Sequence, residues 1–307
     1  MYEYKTMEEQ YLELLAEVMA DGYMKMPARP DMPYTKELFG RVLRCSLNQE
    51  FPLLTTKKMP IKTILIEMLW ILSGDTNVKT LINQGVEIWT EYAYKYYLKS
   101  HKYVKGKKLS FEDWYKEIKS DPNTRLGSCG KIYGKQWRSF GYGHKFDQIK
   151  NVIKSIKTAP SSRYHIVSAW DPVSFLMLPD RAALPSCPAF MQFSVRGQYL
   201  DLSLTQRSAD MFLGVPFDLA SYAALVHVIA KLTGYEPGEF IWFGNSVHVY
   251  KNHFEVVEEQ LKRFPKRMVR LELTGPCEKL EDFTVDSFVI KDYTSHGRLS
   301  GALAVGS

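Results

Sequence analysis

Gln206-Arg207-Ser208-Ala209-Asp210-Met211-Phe212-Leu213-Gly214-Val215-Pro216-Phe217-Asp218-Leu219-Ala220-Ser221-Tyr222 is the stretch on which the fold turns. It follows an alternating run, YLDLSLT (199–205), and leads into apolar sequence that Gly234 stops. Alternation puts successive side chains on opposite faces of a strand. The spacing beyond the Gly214-Val215-Pro216-Phe217 turn predicts a helix from about Asp218 to Leu232. A guanidinium, a hydroxyl and a carboxylate (Arg207, Ser208, Asp210) therefore crowd one strand end beside a helix start. Arg207 and Ser208 suit a phosphate, because the guanidinium offers paired donors and the hydroxyl a third. An Arg–Asp ion pair at a turn is the plainer use of the same residues.

Upstream, FMQFSV (190–195) and YHIVSAW (164–170) are strand-like, and Arg196-Gly197-Gln198 joins 190–195 to 199–205 as a tight hairpin. Residues 38–54 read as a strand with a turn at Asn48–Glu50. Thr6 and Glu9 form a capping box before an amphipathic helix carrying Tyr11, Leu14, Leu15 and Val18, with Gly22 to end it. Pro60 opens a helix to about Ser73, apolar nearly all round, with Glu67 inside the apolar surround. Gly74-Asp75-Thr76-Asn77 breaks it. A Lys- and Tyr-rich stretch at about 93–130 reads as an insertion in one catalytic domain spanning 1–307, and FEDWYKEIK within it as a short helix. The lysines of 95–108 are expected to be a solvated surface rather than a nucleic-acid patch. The pattern is α+β, a large mixed sheet with buried helices.

Composition sets the class. Hydrophobic residues make up 45% of 307 and charged residues 24%, enough for a sizeable core. A net charge of +6 suits anionic ligands without choosing among them. The cysteines, Cys45, Cys129, Cys187 and Cys277, have neither CxxC nor zinc spacing. We read reduced thiols, a cytoplasmic compartment and no metal site. The N-terminus lacks the apolar region of a signal peptide, and no membrane association is expected.

Cys187 lies in Leu184-Pro185-Ser186-Cys187-Pro188, ahead of a strand. Alone, it is by default a small buried hydrophobe. Taken with QRSAD and GVPFD it carries more. Together with FPLLTTKK (51–58), Glu67, GDTN (74–77), Ile88-Trp89, YGKQWRSFG (133–141), SSRYHIVSAW (161–170), HVYKNH (248–253) and Ala304-Val305, these motifs resemble the thymidylate synthase family over nearly the whole chain. The resemblance implies a thymidylate synthase-like fold, a homodimer, and 5,10-methylenetetrahydrofolate as co-substrate to a pyrimidine nucleoside monophosphate. Cys187 matches the nucleophile that adds to C6 of the base. Glu67 and Tyr133 match proton-handling groups. Arg207 matches the arginine that grips the phosphate and lowers the thiol pKa. Ser208 matches another phosphate ligand, and Arg163 one that crosses the dimer. Arg29 stands one residue from a further phosphate arginine. His248 and Tyr250 match the pair on the sugar 3′-hydroxyl. Asp210, Trp89, Ile88, Leu184, Gly214 and Val305 match the folate side.

The departures drive the functional expectation. Asp218 stands where synthases carry the Asn that reads uracil. A carboxylate accepts from the cytosine amino group and, if protonated, also donates to N3, and Asp at this position resembles the dCMP hydroxymethylases. Asp is also an excellent helix N-cap. Pro188 replaces a histidine, Tyr164 a cross-dimer arginine, and Pro60, Thr90 and Tyr92 alter the folate side. The sequence therefore leads us to expect a deoxycytidylate 5-hydroxymethyltransferase that makes 5-hydroxymethyl-dCMP. A dCMP C5-methyltransferase comes next, then a synthase acting on dUMP. A non-catalytic nucleotide- or nucleic-acid-binding regulator is the alternative from another class. The intact Cys187, Glu67, Tyr133 and Arg207 speak against it.

Overall fold

A computed structural model describes residues 5–27, 32–100, 108–141, 145–177 and 182–302. Its centre is a six-stranded mixed sheet in the order β1-β2-β6-β5-β4-β3. The strands are β1 (Tyr23–Lys25), β2 (Thr35–Ser46), β3 (Ile166–Ser168), β4 (Pro188–Arg196), β5 (Tyr199–Asp210) and β6 (Glu236–Tyr250). Only β5 and β6 run parallel; the other neighbours are antiparallel. A parallel pair needs a crossover, and helix α8 (Gly214–Thr233) supplies it. A second, two-stranded sheet pairs β7 (Arg270–Leu273) with β8 (Phe288–Lys291).

Two neighbouring rows across the sheet show where the core lies. Leu43, Trp242, Leu204 and Met191 are register partners in turn, and each is at most 2% exposed. One residue along, Val42, Phe243, Thr205 and Phe190 form the next row. Val42 is 47% exposed, and Phe243 and Phe190 are 38% exposed. Side chains alternate across a strand, so one face carries the helices and the other shows aromatic surface.

Helix α1 (Met7–Asp21) has the expected capping box, with Thr6 and Glu9 bonding each other's backbone. It buries Tyr11, Leu14, Leu15 and Val18. Helix α2 (Ile61–Ser73) follows Pro60 and ends at Gly74, whose φ of +83° suits glycine. Helices α3 (Lys79–Ile82), α4 (Thr90–Ser100), α5 (Phe111–Ser120), α6 (Tyr133–Arg138), α7 (Gln148–Thr158) and α9 (Phe254–Leu261) complete the set among the described residues. The hairpin through Gly197 forms as expected. Helix α8 has the length and apolarity of a membrane span, yet fourteen of its residues, among them Val215, Leu219 and Ile229, are buried in the core.

Three elements differ from the sequence expectation. β2 ends at Ser46, and Phe51–Leu54 is a buried loop in which Pro52 offers no ladder donor. The strand expected over 164–170 shrinks to three residues. Helix α8 begins four residues before Asp218. Pro216 is tolerated there because the first turn has no internal partner for its missing N–H. Asp218 therefore sits inside the helix, and the N-cap explanation of it falls.

Candidate active site

The site gathers at the ends of β4, β5 and β6, against α2, α6 and the start of α8. Arg207 leaves β5 and turns onto the loop before β4. Its Nε donates to the Ser186 carbonyl at 2.9 Å and its Nη2 to the Pro185 carbonyl at 2.8 Å. Its backbone N–H donates to the Cys187 carbonyl at 2.9 Å. The plainer alternative, an ion pair with Asp210, is not made among the described residues. Arg207 instead clamps the loop that presents Cys187, and its Nη2 lies 3.8 Å from the thiol sulfur. The guanidinium also stacks over Trp170, 5.2 Å from the ring centre.

Cys187 donates its backbone N–H to the Tyr133 phenol oxygen at 2.8 Å. Burial pushes the thiol pKa up by more than Arg207 pulls it down. The expectation of a lowered pKa is thus corrected: desolvation outweighs the single cation. Burial likewise holds Tyr133 well above the usual phenol range, so it is a neutral donor at pH 7.

Glu67 points from α2 into the same region and accepts from Trp89 Nε1 at 2.6 Å. Burial, opposed by that bond, pushes its carboxyl up to about 7. Asp218 accepts from Gln206 Nε2 at 2.8 Å. Burial, then the charge of Glu67, push it up to about 8. Glu67, Trp89, Tyr133, Asp218 and Tyr222 line a common cavity of about 50 Å³, room for a few water molecules. Two carboxyls raised into the neutral range and facing one cavity are the signature of acid–base work.

β6 lies beside β5, pairing Ser208 with Ser246 and Asp210 with His248. This register sets the phosphate candidates next to the sugar candidates. His248 Nδ1 meets the Ser246 carbonyl at 3.0 Å, which leaves Nε2 as an acceptor. Tyr250 meets His248 edge to face at 5.0 Å. Asp210 Oδ1 accepts from the backbone N–H groups of Phe212 and Leu213 at 3.0 and 3.2 Å, shaping the turn into α8. Trp89 packs on Tyr133 and Tyr92, with ring centres at 6.0 and 5.7 Å. Ile88 is 37% exposed, and Leu184 is half-buried just ahead of Cys187.

Arg163 is exposed on the segment before β3, and among the described contacts only its carbonyl is bonded, by Gln192. Arg29 and Val305 lie outside the described residues. Gln206, Trp242, Tyr222 and Lys57 belong to the site but carried no role in the sequence reading. Gln206 was detectable: it continues the inward series Leu202, Leu204, where a polar residue needs a partner. Lys57 is buried, donates to the Phe212 carbonyl and stands 4.1 Å over the Phe212 ring. Burial lowers its pKa to about 7, against the pull of Asp210.

Residues 9–305 match the thymidylate synthase family model. A Mycoplasma mobile protein named thymidylate synthase is 42% identical over 301 residues, 97% of this chain and all (100%) of the relative. The protein of that name from Aster yellows witches'-broom phytoplasma is 40% identical over 273 residues, 88% of this chain and 91% of the relative. The Mesoplasma florum one is 39% identical over 302 residues, 97% and 100% of the two chains.

These relatives overturn the expectation of a dCMP-specific enzyme, whether hydroxymethylating or methylating: near full-length similarity is to proteins named for thymidylate synthesis. The inference from Asp218 failed because neither form of the side chain is exclusive to cytosine. A carboxyl pushed up to about 8 is neutral at pH 7. It then offers one donor and one acceptor, as an Asn amide does.

The family's co-substrate is 5,10-methylenetetrahydrofolate, and the residues present fit it. A Cβ at Gly214 would make ordinary contact with Asp210 Cβ at 3.8 Å and Asp218 Oδ2 at 3.9 Å, which places this backbone between the two carboxyls. Trp89 and Tyr92 supply aromatic wall, as planar ligands require. This chain belongs to the thymidylate synthase family, the folate-dependent one-carbon transferases that act on a pyrimidine nucleotide.

Proposed function

We propose that the protein converts dUMP to dTMP. The reading is carried by the placement of Asp218, half-buried opposite Glu67 and bonded by Gln206, where burial pushes its carboxyl up to about 8. Its O–H donates to O4 of uracil and withdraws electrons from the ring. Cys187 gives up its thiol proton to water in the cavity, its Sγ adds to C6, and the electron pair moves to C5 and O4. Covalent attack divides a hard substitution into easier steps. Arg207 holds the nucleotide phosphate with the guanidinium edge its carbonyl bonds leave free, and Ser208 adds a hydroxyl. His248 and Tyr250 take the sugar hydroxyl. The co-substrate supplies the one-carbon unit and the hydride that completes the methyl group. Glu67, near neutrality, accepts or returns protons through water in the cavity, and Tyr133 orients the Cys187 loop. Cys187 leaves when the C5–C6 double bond re-forms.

The test is product analysis with dUMP and methylenetetrahydrofolate. dTMP and dihydrofolate in equal amounts are expected. Absence of dTMP, or formation of tetrahydrofolate in place of dihydrofolate, contradicts the reading.

We also propose that the chain works as a homodimer through the bare sheet face. The row Val42, Phe243 and Phe190 is apolar and exposed, as an uncovered interface core is. A second copy would cover it and bring its own exposed Arg163 towards the phosphate.

A further inference from the structure

A second cavity lies away from the reacting groups, at the far end of α8. It holds about 350 Å³ between α7, the last turn of α8 and the segment 278–281. That is the size of a small-molecule site. Leu232 in its wall stands about 20 Å along α8 from Asp218, at 1.5 Å per helical residue. The floor is apolar: Ile153 of α7, Leu232 of α8 and Leu280. The α7 rim is Lys150, Lys154 and Lys157, all exposed. These lysines recur at i, i+4 and i+7 on one helix face, and like charges at such spacings repel. Lys150 lies in the first turn, where the helix dipole disfavours a cation. Helix α7 contains no Asp or Glu to offset them, and its N-cap Asp147 is taken by Arg138 at 2.9 Å. On the opposite wall Lys279 is paired with Asp282 and Glu281 with Arg138, each at 3.9 Å. A row of unopposed cations thus overhangs an apolar trough, and negative charge on a ligand would relieve it.

We propose that this groove is a second nucleotide site and binds a nucleoside triphosphate. The phosphates lie along Lys150, Lys154 and Lys157, and the base covers Ile153, Leu232 and Leu280. From Lys150 to Lys157 the helix rises about 10 Å, which suits a run of charges better than a single one. The groove is lined by lysine and by no arginine. Lysine meets phosphate as a point charge, whereas arginine's fork is the match for a carboxylate. Glu278, exposed on the opposite wall, accepts from ribose hydroxyls or a base amino group. Helices α7 and α8 pack together on the helical side of the main sheet, so the groove is separate from the exposed row of Val42, Phe243 and Phe190. It is equally separate from the nucleotide site at Cys187.

The test is calorimetric titration of the full chain with ATP, adenosine and inorganic triphosphate, for the wild type and Lys154→Glu. One ATP should bind per chain, with saturating dUMP leaving its Kd unchanged. Adenosine and triphosphate each keep one half of the match and should bind about tenfold more weakly or worse. Lys154→Glu should raise the Kd for ATP by about tenfold or more, the worth of one charge-assisted hydrogen bond. It should leave turnover unchanged, since Lys154 is exposed and far from Cys187. The substitution replaces repulsion with attraction along α7, so the variant should fold. Four results would each overturn the proposal: no ATP binding at millimolar concentration, displacement of ATP by dUMP, triphosphate bound as tightly as ATP, or an unchanged Kd in Lys154→Glu.

Discussion

The backbone N–H of Cys187 donates to the phenol oxygen of Tyr133 at 2.8 Å. A side chain from α6 thus holds the nucleophile's own peptide group, while Arg207 holds the two carbonyls before it. The loop is clamped from both sides through its backbone, and the sulfur itself adds only longer contacts, at 3.8 Å to Arg207 Nη2 and 3.9 Å to the Pro185 carbonyl. Tyr133→Phe removes one clamp and leaves a buried N–H unpaired. We expect kcat to fall roughly 100-fold, the scale of a lost positioned proton donor, with KM for dUMP changed far less. Stability should drop by about 1–3 kcal/mol, the cost of an unpaired buried donor. Steady-state kinetics with urea unfolding checks both.

Asp218 and Glu67 give the enzyme a definite pH response. Burial pushes both carboxyls above their ordinary values, Asp218 up to about 8 and Glu67 up to about 7. Below the free values both states are protonated and the contribution to stability is whole. As pH rises through the folded values, the unfolded chain has already released protons that the folded chain keeps, so stability falls. The slope is at most about 1.4 kcal/mol per pH unit for each group. Asp218→Asn should flatten its share of that slope between pH 5 and 8, read from urea midpoints. The wild type should lose dUMP kcat/KM as pH rises through about 8, and the same variant should not show that fall.

Arg207 has two tasks, and substitution should separate them. Arg207→Lys keeps a cation but cannot bond the Ser186 and Pro185 carbonyls and a phosphate together. We expect KM for dUMP to rise at least tenfold, about the worth of one charge-assisted hydrogen bond, and kcat to fall as well because the Cys187 loop loosens. A rise in KM with kcat unchanged would mean that the loop does not depend on the guanidinium.

Phe243 sits in the exposed row of the sheet, flanked by Val42 and Thr205. Phe243→Lys places a charge in the proposed interface. Light scattering should show the wild type at twice the chain mass and the variant at the chain mass or in concentration-dependent exchange. A wild type that is monomeric at micromolar concentration contradicts the dimer.

Much of the fold was legible because its signals are local. The capping box of Thr6 and Glu9, the Gly74 stop and the Gly197 hairpin each depend on a few neighbouring residues. The strand at 38–54 was overextended because Phe51, Leu53 and Leu54 are buried without being paired; burial alone does not distinguish a core loop from a strand. The start of α8 was placed late because Gly214-Val215-Pro216 reads as a turn. Asp210, by capping the N–H groups of Phe212 and Leu213, orders the turn from which the helix begins. The site residues came from motifs, but their protonation did not. Cys187 was expected to be acidified by Arg207, and that reading missed desolvation, which depends on what packs around a residue and not on its neighbours in sequence. For Asp218 both the carboxylate and the protonated form were in view, and sequence alone does not choose between them.

In the proposed reaction Asp218, with its carboxyl pushed up to about 8, reads uracil. Tritium release from C5-labelled dUMP and C5-labelled dCMP, run in parallel with methylenetetrahydrofolate at pH 7, tests it most directly. Loss of the C5 proton requires Cys187 attack and C5 transfer, and nothing after them. Release from dUMP, exceeding that from dCMP at least 100-fold as a buried hydrogen-bond match demands, is the expected result. Release from dCMP in preference to dUMP would contradict it, and would mean that Asp218 meets the base as an acceptor.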